Sequence, residues 1–90
     1  MKVNRFTYNT MEGQSTHTQT FGEKAVGLSF NPSNADSVST CKKGFAELID
    51  QMNDLRNTTE SPEQKRLASV AITEAQGAQM WAVKALTWKD

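Results

Sequence analysis

Cationic side chains at or before the starts of predicted helices are the residues in this sequence best suited to binding chemistry. Helix N-termini present unpaired N–H groups and the positive end of the helix dipole, so neighbouring cations reinforce a site for phosphate or another anion. Ordinary exposed basic residues are the alternative interpretation of the same pattern. The candidate residues are Lys24, Lys42, Lys43, Lys65 and Arg66.

Tyr8 is the only tyrosine and lies in an otherwise polar N-terminal segment. Its ring could provide a platform on which a nucleobase stacks. Anchoring of the segment in a hydrophobic core is the alternative, and the residues alone favour that alternative. Trp81 and Trp88 lie seven residues apart, which is heptad spacing and is typical of a core or an interface.

The sequence offers little for catalysis. His17 is the only histidine and has no acid within four residues, which argues against a catalytic dyad or a metal site. Cys41, the only cysteine, lacks a neighbouring base and is spaced like a small hydrophobic residue in a helix. The sequence contains no glycine-rich phosphate loop and no zinc-ligand spacing. We therefore expect no enzyme, no metal and no cofactor.

The overall composition limits the possible partners. The chain has 90 residues, with ten Lys plus Arg against ten Asp plus Glu and a formal net charge of zero. Neutrality argues against polymeric nucleic acid, whose binding depends on many cations that neutralise phosphates. No apolar run approaches the roughly 18 residues that a membrane span needs, so we expect no membrane partner. A lone cysteine suits a reducing, cytoplasmic compartment.

Two long helices are predicted to position these residues after a polar N-terminal arm at residues 1–33. The arm has no sustained hydrophobic period, and only Gly22 to Phe30 alternates enough for a short strand or a single helical turn. A helical stripe then predicts helix A at residues 34–56. The apolar residues of that stripe are Val38, Cys41, Phe45, Leu48, Ile49, Met52 and Leu55.

Helix B is predicted at residues 61–88. Ser61 followed by Pro62 and Gln64 predicts a helix start with a full capping box. The short connector before Ser61 makes helices A and B antiparallel neighbours, so we expect an all-α helical hairpin in a single domain. The predicted seam of helix B contains Leu67, Val70, Ala71, Ala78, Trp81, Ala85 and Trp88.

Helix B carries more apolar surface than one partner helix can cover. Ile72, Met80, Val83 and Leu86 lie off the predicted seam. A hairpin of two long helices would expose too much of this surface alone, so we expect a compact homo-oligomer. Without a ligand, such an oligomer would be a structural or interaction protein, which is the alternative function.

The sequence resembles the helical-hairpin proteins of tailed phages, which include the anti-CBASS cyclic-oligonucleotide sponges. The resemblance covers most of residues 4–88. Its strongest part is the helix B pattern of Arg66 to Thr73 leading into Ala78 to Ala85. The segments Asn4 to Tyr8 and Lys42 to Asp50 are further similar parts.

The resemblance implies a homohexamer that sequesters cyclic dinucleotides and cyclic trinucleotides, without cleaving them, in separate pockets at subunit contacts. Such a protein would act in the cytoplasm of the infected bacterial host and block CBASS-type antiviral signalling. Tyr8 would stack on a base of the dinucleotide, and Arg66 and Thr73 would serve the trinucleotide pocket. A lysine of helix A would bind as well. That position is Lys42 or Lys43, with Ser39, Thr40 and Cys41 as further candidates.

We predict that Tyr8→Ala and Arg66→Ala weaken the binding of different ligand classes, because the two residues would lie in separate pockets. Tyr8→Ala should mainly reduce affinity for cyclic dinucleotides, and Arg66→Ala should mainly reduce affinity for cyclic trinucleotides. Isothermal titration of both variants with both classes measures this difference. Equal losses for both classes from each substitution would contradict two separate pockets.

Overall fold

The computed structural model describes residues 18–30 and 35–90, and within these ranges the chain is helical and contains no strand. The elements in chain order are α1 (Phe21–Ala25), α2 (Asp36–Thr58) and α3 (Pro62–Thr87). Helices α2 and α3 correspond to predicted helices A and B. Of the two alternatives for Gly22 to Phe30, the helical turn is found. In the described ranges, no helix is both long enough and apolar enough to cross a membrane.

Helices α2 and α3 form the hairpin and are joined by a connector of Thr59 to Ser61. The Ser61 hydroxyl accepts a hydrogen bond from the Gln64 N–H at 3.1 Å, and Pro62 begins α3, as predicted. The prediction of a full capping box was wrong, because the Gln64 side chain accepts from the Thr59 hydroxyl instead. That hydroxyl also accepts from the Ser61 N–H at 3.1 Å, so the connector supplies the second half of the cap.

The buried faces of the two long helices differ from the predicted stripes. The buried residues are Val38, Lys42, Ala46 and Ile49 on α2, and Ala68, Ile72, Ala75 and Gln79 on α3. Several residues of the predicted stripes are exposed instead, namely Leu48, Leu67, Val70, Trp81 and Trp88. Alanines on the buried faces let the helices approach closely, and the bulkier side chains are left outside. The apolar stripes therefore exist, but the hairpin itself buries only part of them.

A short α1 packs across α2 and contributes Val26 to the core. Thr20 and Glu23 form a capping box at its start, with both hydrogen bonds at 3.0 Å. At its end Gly27 adopts a positive φ of 65°, and the N–H groups of Gly27 and Leu28 return to the carbonyls of Lys24 and Glu23. This is a Schellman motif, in which glycine avoids the strain of the left-handed conformation.

Polar contacts from α2 hold α1 at two points. The Gly22 N–H donates to Asp50 Oδ1 at 2.7 Å. The Arg56 guanidinium lies 5.2 Å from the centre of the Phe21 ring and donates to Ser69 Oγ at 3.1 Å. Arg56 therefore connects all three helices near the closed end of the hairpin.

We predict that Gly22→Ala destabilises the fold, because the new Cβ would overlap the backbone carbonyl of Ala46. The loss should be about 1–3 kcal/mol, as for other overpacked sites. Gly44→Ala is the matched control. Its Cβ would meet no atom within 4 Å in the chain, so it should stabilise α2 by about 0.5–1 kcal/mol. Urea unfolding measures both changes, and a stable Gly22→Ala variant would contradict the close packing of α1.

Candidate functional site

Lys42 is buried, with 5% of its surface exposed, although sequence analysis places it among the candidate ligand-binding cations. Its Nζ donates to the carbonyl of Gly27 at 3.0 Å and to the carbonyl of Phe30. The Phe30 ring lies 5.4 Å from the same ammonium, a cation–π distance. Lys42 therefore fixes the turn after α1 against the buried face of α2.

The charge of Lys42 is not balanced by a carboxylate within the described residues, where the ion pair found is Arg66 with Glu63. A buried charge without a counter-ion is costly, and carbonyl dipoles offset that cost only in part. An ammonium carries three N–H groups, of which two are used here. The surroundings of Lys42 are consequently suited to an anionic ligand.

Lys42 lies on the floor of a groove of about 360 Å³ between the turn after α1 and the C-terminal half of α3. Gln79, 6% exposed, is the second polar residue of the floor. Phe30 and Met80 form the rim and are 70% and 65% exposed. The groove thus combines a polar, buried floor with an apolar, open rim, which is typical of small-molecule sites. Its remaining lining residues are Ala25, Val26 and Val83.

Two other predicted lysines are exposed and do not enter this groove. Lys24 lies in the last turn of α1, and Lys43 lies on α2. Consecutive helical residues point about 100° apart, so Lys43 leaves the face that Lys42 occupies. Of the two alternatives for the lysine of helix A, Lys42 is the one that lines a cavity.

Arg66 lies in the first turns of α3 and already holds a carboxylate. Its Nε donates to Glu63 Oε1 at 3.0 Å and its second terminal nitrogen to Glu63 Oε2 at 2.7 Å, a bidentate geometry. These bonds lower the pKa of the Glu63 carboxyl and raise the pKa of the Arg66 guanidinium. Both side chains are more than half exposed, so a phosphate could exchange with Glu63 in the same two-pronged geometry.

The predicted site residues that the structure describes lie at two separate positions on the hairpin. Thr73 is exposed and lies seven residues after Arg66, on the same face of α3. Arg66 lies thirteen residues before Gln79, about 20 Å along the helix axis at about 1.5 Å per residue. One chain therefore does not bring Arg66 to the Lys42 groove. Tyr8 and His17 lie outside the described residues.

Sequence reasoning missed Gln79 and Phe30 as site residues. Gln79 continues the buried series Ala68, Ile72 and Ala75 at helical spacing, and a polar residue in phase with a buried stripe is an informative signal. That signal depended on choosing the correct stripe of α3. No sequence pattern identified Phe30 as a site residue, because its position beside the groove depends on the turn after α1, which Lys42 holds in place.

The outer surface of the hairpin carries further apolar grooves. One of about 250 Å³ lies on α3 at Gly77, Met80 and Trp81, and Lys84 Nζ lies 5.5 Å from the Trp81 ring. Another of about 270 Å³ lies on α2 between Cys41 and Leu48. Both contain residues of the stripes that were predicted to be buried, so they are unpartnered surface of the single chain.

The model of the Acb2/Tad1 hairpin domain matches residues 23–87, which include α2, α3 and most of α1. No curated protein and no solved structure gives a significant match.

We predict that Lys42→Met lowers the free energy of unfolding by about 1–3 kcal/mol, because the carbonyls of Gly27 and Phe30 lose a charged donor. Hydrogen exchange should also accelerate in residues 26–30. Lys43→Met is the matched control, since its exposed side chain has no such bonds, and it should change stability by less than about 0.5 kcal/mol. Equal stabilities for the two variants would contradict a structural role for Lys42.

Proposed function

Because the chain belongs to the Acb2/Tad1 hairpin family, the anti-CBASS cyclic-oligonucleotide sponges, we propose that it binds cyclic dinucleotides and cyclic trinucleotides and sequesters them intact. The messenger made by the host would then be withheld from the effector that it activates. The site of action would be the cytoplasm of an infected bacterial cell. The family is a binding family, which supports sequestration rather than cleavage.

The observation that carries this proposal within the structure is the unbalanced ammonium of Lys42 on the floor of an apolar groove. A cyclic nucleotide offers matching chemistry, since it combines anionic phosphates with flat, largely apolar bases. Phe30 at the rim provides an exposed aromatic face on which a base can stack. The groove therefore suits a nucleotide better than a purely apolar or purely ionic ligand.

A cyclic dinucleotide has two phosphates and approximate two-fold symmetry. Two copies of the chain related by a two-fold axis would present two copies of Lys42, one for each phosphate. Tyr8 would then stack on a base in the same pocket. Lys24 and Lys43 are exposed near this end of the hairpin and would add positive charge around the ligand.

Arg66 and Thr73 would form the second site, for the cyclic trinucleotide. The guanidinium can bind a phosphate with the two nitrogens that now hold Glu63. Thr73 offers a hydroxyl on the same face of α3. Arg66 lies about 20 Å along α3 from Gln79 of the Lys42 groove, which supports two pockets that fill independently.

Self-association would cover the apolar surface that the hairpin leaves open. We propose the homohexamer, with copies packed through the exposed faces of α2 and α3. Trp81 is the largest exposed apolar side chain there, and Ala78 and Gly77 beside it permit close helix contact. The rival hypothesis, a ligand-free structural oligomer, is favoured by the same surface. Both hypotheses predict an oligomer, so ligand binding and not oligomer size distinguishes them.

We predict that the folded protein binds a 3′,3′-linked cyclic dinucleotide and cyclic tri-adenylate, with heat released or absorbed on isothermal titration. Both ligands should be recovered intact by chromatography after the complex is denatured. Linear nucleotides of the same composition are the control and should bind more weakly, because their ends add charge and freedom that the pockets must fix. An oligomer that is folded but binds neither ring would favour the structural alternative.

A further inference from the structure

Gln79 has a buried carboxamide without a hydrogen-bond partner among residues 18–30 and 35–90. Only 6% of the residue is exposed, and it lines the same groove as Lys42. The neighbouring Gln76 differs, since its Nε2 donates to the Ala25 carbonyl at 3.3 Å. Gln76 therefore serves the packing of α1, whereas Gln79 has no such bond and lines the groove.

An unpaired amide in this position is unfavourable for the protein alone. Burial removes water from both ends of the carboxamide, and no protein group replaces that water in the described chain. A methionine or leucine would fill the same volume on α3 without this cost. The burial of the Gln79 amide is explained if a bound ligand supplies its hydrogen-bond partners.

We infer that Gln79 is a specificity-determining residue, whose carboxamide pairs with the N6 and N7 (Hoogsteen) edge of a ligand base and thereby selects adenine over guanine. This inference rests on the proposed function, because it assigns a base preference to the Lys42 groove. The juxtaposition that carries it is the unpartnered Gln79 amide and the unbalanced Lys42 ammonium on one floor.

The preference for adenine follows from the hydrogen-bond donors and acceptors of Gln79 and of the two bases. Gln79 offers one acceptor, Oε1, and two N–H donors on Nε2. Adenine presents a donor at N6 beside an acceptor at N7, so a glutamine can make two hydrogen bonds to it. Guanine presents acceptors at both O6 and N7, so Oε1 would face a second acceptor. At this edge adenine therefore satisfies both ends of the amide and guanine satisfies one, whereas the Watson–Crick edge, where guanine offers N1–H beside O6, would not discriminate between them.

The dimensions of the groove agree with one base. Its volume of about 360 Å³ is near the lower limit of small-molecule sites, which suits one base with its ribose. The remainder of a cyclic ligand would pass over the rim between Phe30 and Met80. The Phe30 ring and the Met80 thioether would then contact the base from the rim while Gln79 reads its edge.

The test measures the affinity of the full chain for two probes, cyclic di-AMP and cyclic di-GMP. The wild-type protein should bind cyclic di-AMP about tenfold or more tightly, which is within the range for two-bond recognition of a base. Gln79→Met should reduce that ratio about tenfold, with a melting temperature that is unchanged or higher. Gln51→Met, the same change at an exposed position of α2, should leave both affinities and their ratio unchanged.

An equal loss of affinity for both probes in Gln79→Met would overturn the inference, because a merely structural role would not change the ratio. An unchanged ratio would overturn it as well. If Gln79→Met does not fold, Gln79→Leu provides the same comparison. A wild-type protein that binds neither probe nor cyclic tri-adenylate would contradict the proposed function, whereas binding without adenine preference would contradict only the role of Gln79.

Discussion

A buried ammonium joins the turn after α1 to the N-terminal part of α2 and holds one wall of the groove in place. Lys42 reaches from the inner face of α2 to the carbonyls of Gly27 and Phe30. Arg56 holds the opposite end of α1 through the Phe21 ring. Two cations of one helix therefore fix a five-residue helix that could not be stable alone. Without this attachment the rim residue Phe30 would lose its place beside the floor.

Much of the fold could be predicted from the sequence, because helical periodicity and the Ser61–Pro62 start are local signals. The side of each long helix that is buried could not be predicted. Both long helices carry apolar residues on more than one side, and the buried side is decided by packing between helices. One such contact, the close approach of Gly22 to Ala46, leaves no periodic pattern. Lys42 could be identified as a candidate cation, but its burial depends on this choice of face.

The two candidate sites differ in how much they are prepared before a ligand arrives. The Lys42 groove is preorganised, since its ammonium is held by two carbonyls and the Gln79 amide is already buried. Preorganisation lowers the entropic cost of binding. Arg66 is exposed and must exchange Glu63 for a phosphate, so its site carries a competing internal anion. A sponge acts by mass action, and its affinity must exceed that of the effector for the same messenger. The preorganised groove is the better prepared of the two for that competition.

In the proposed function, a cyclic dinucleotide occupies the groove of Lys42 and Gln79. Nuclear magnetic resonance of the side-chain amide of Gln79, with the exposed Gln51 amide as an internal reference, tests it directly during titration. We expect a large shift of the Gln79 side-chain N–H signals that saturates together with binding, and no comparable shift for Gln51. Saturated binding with an unchanged Gln79 signal would contradict occupation of this groove.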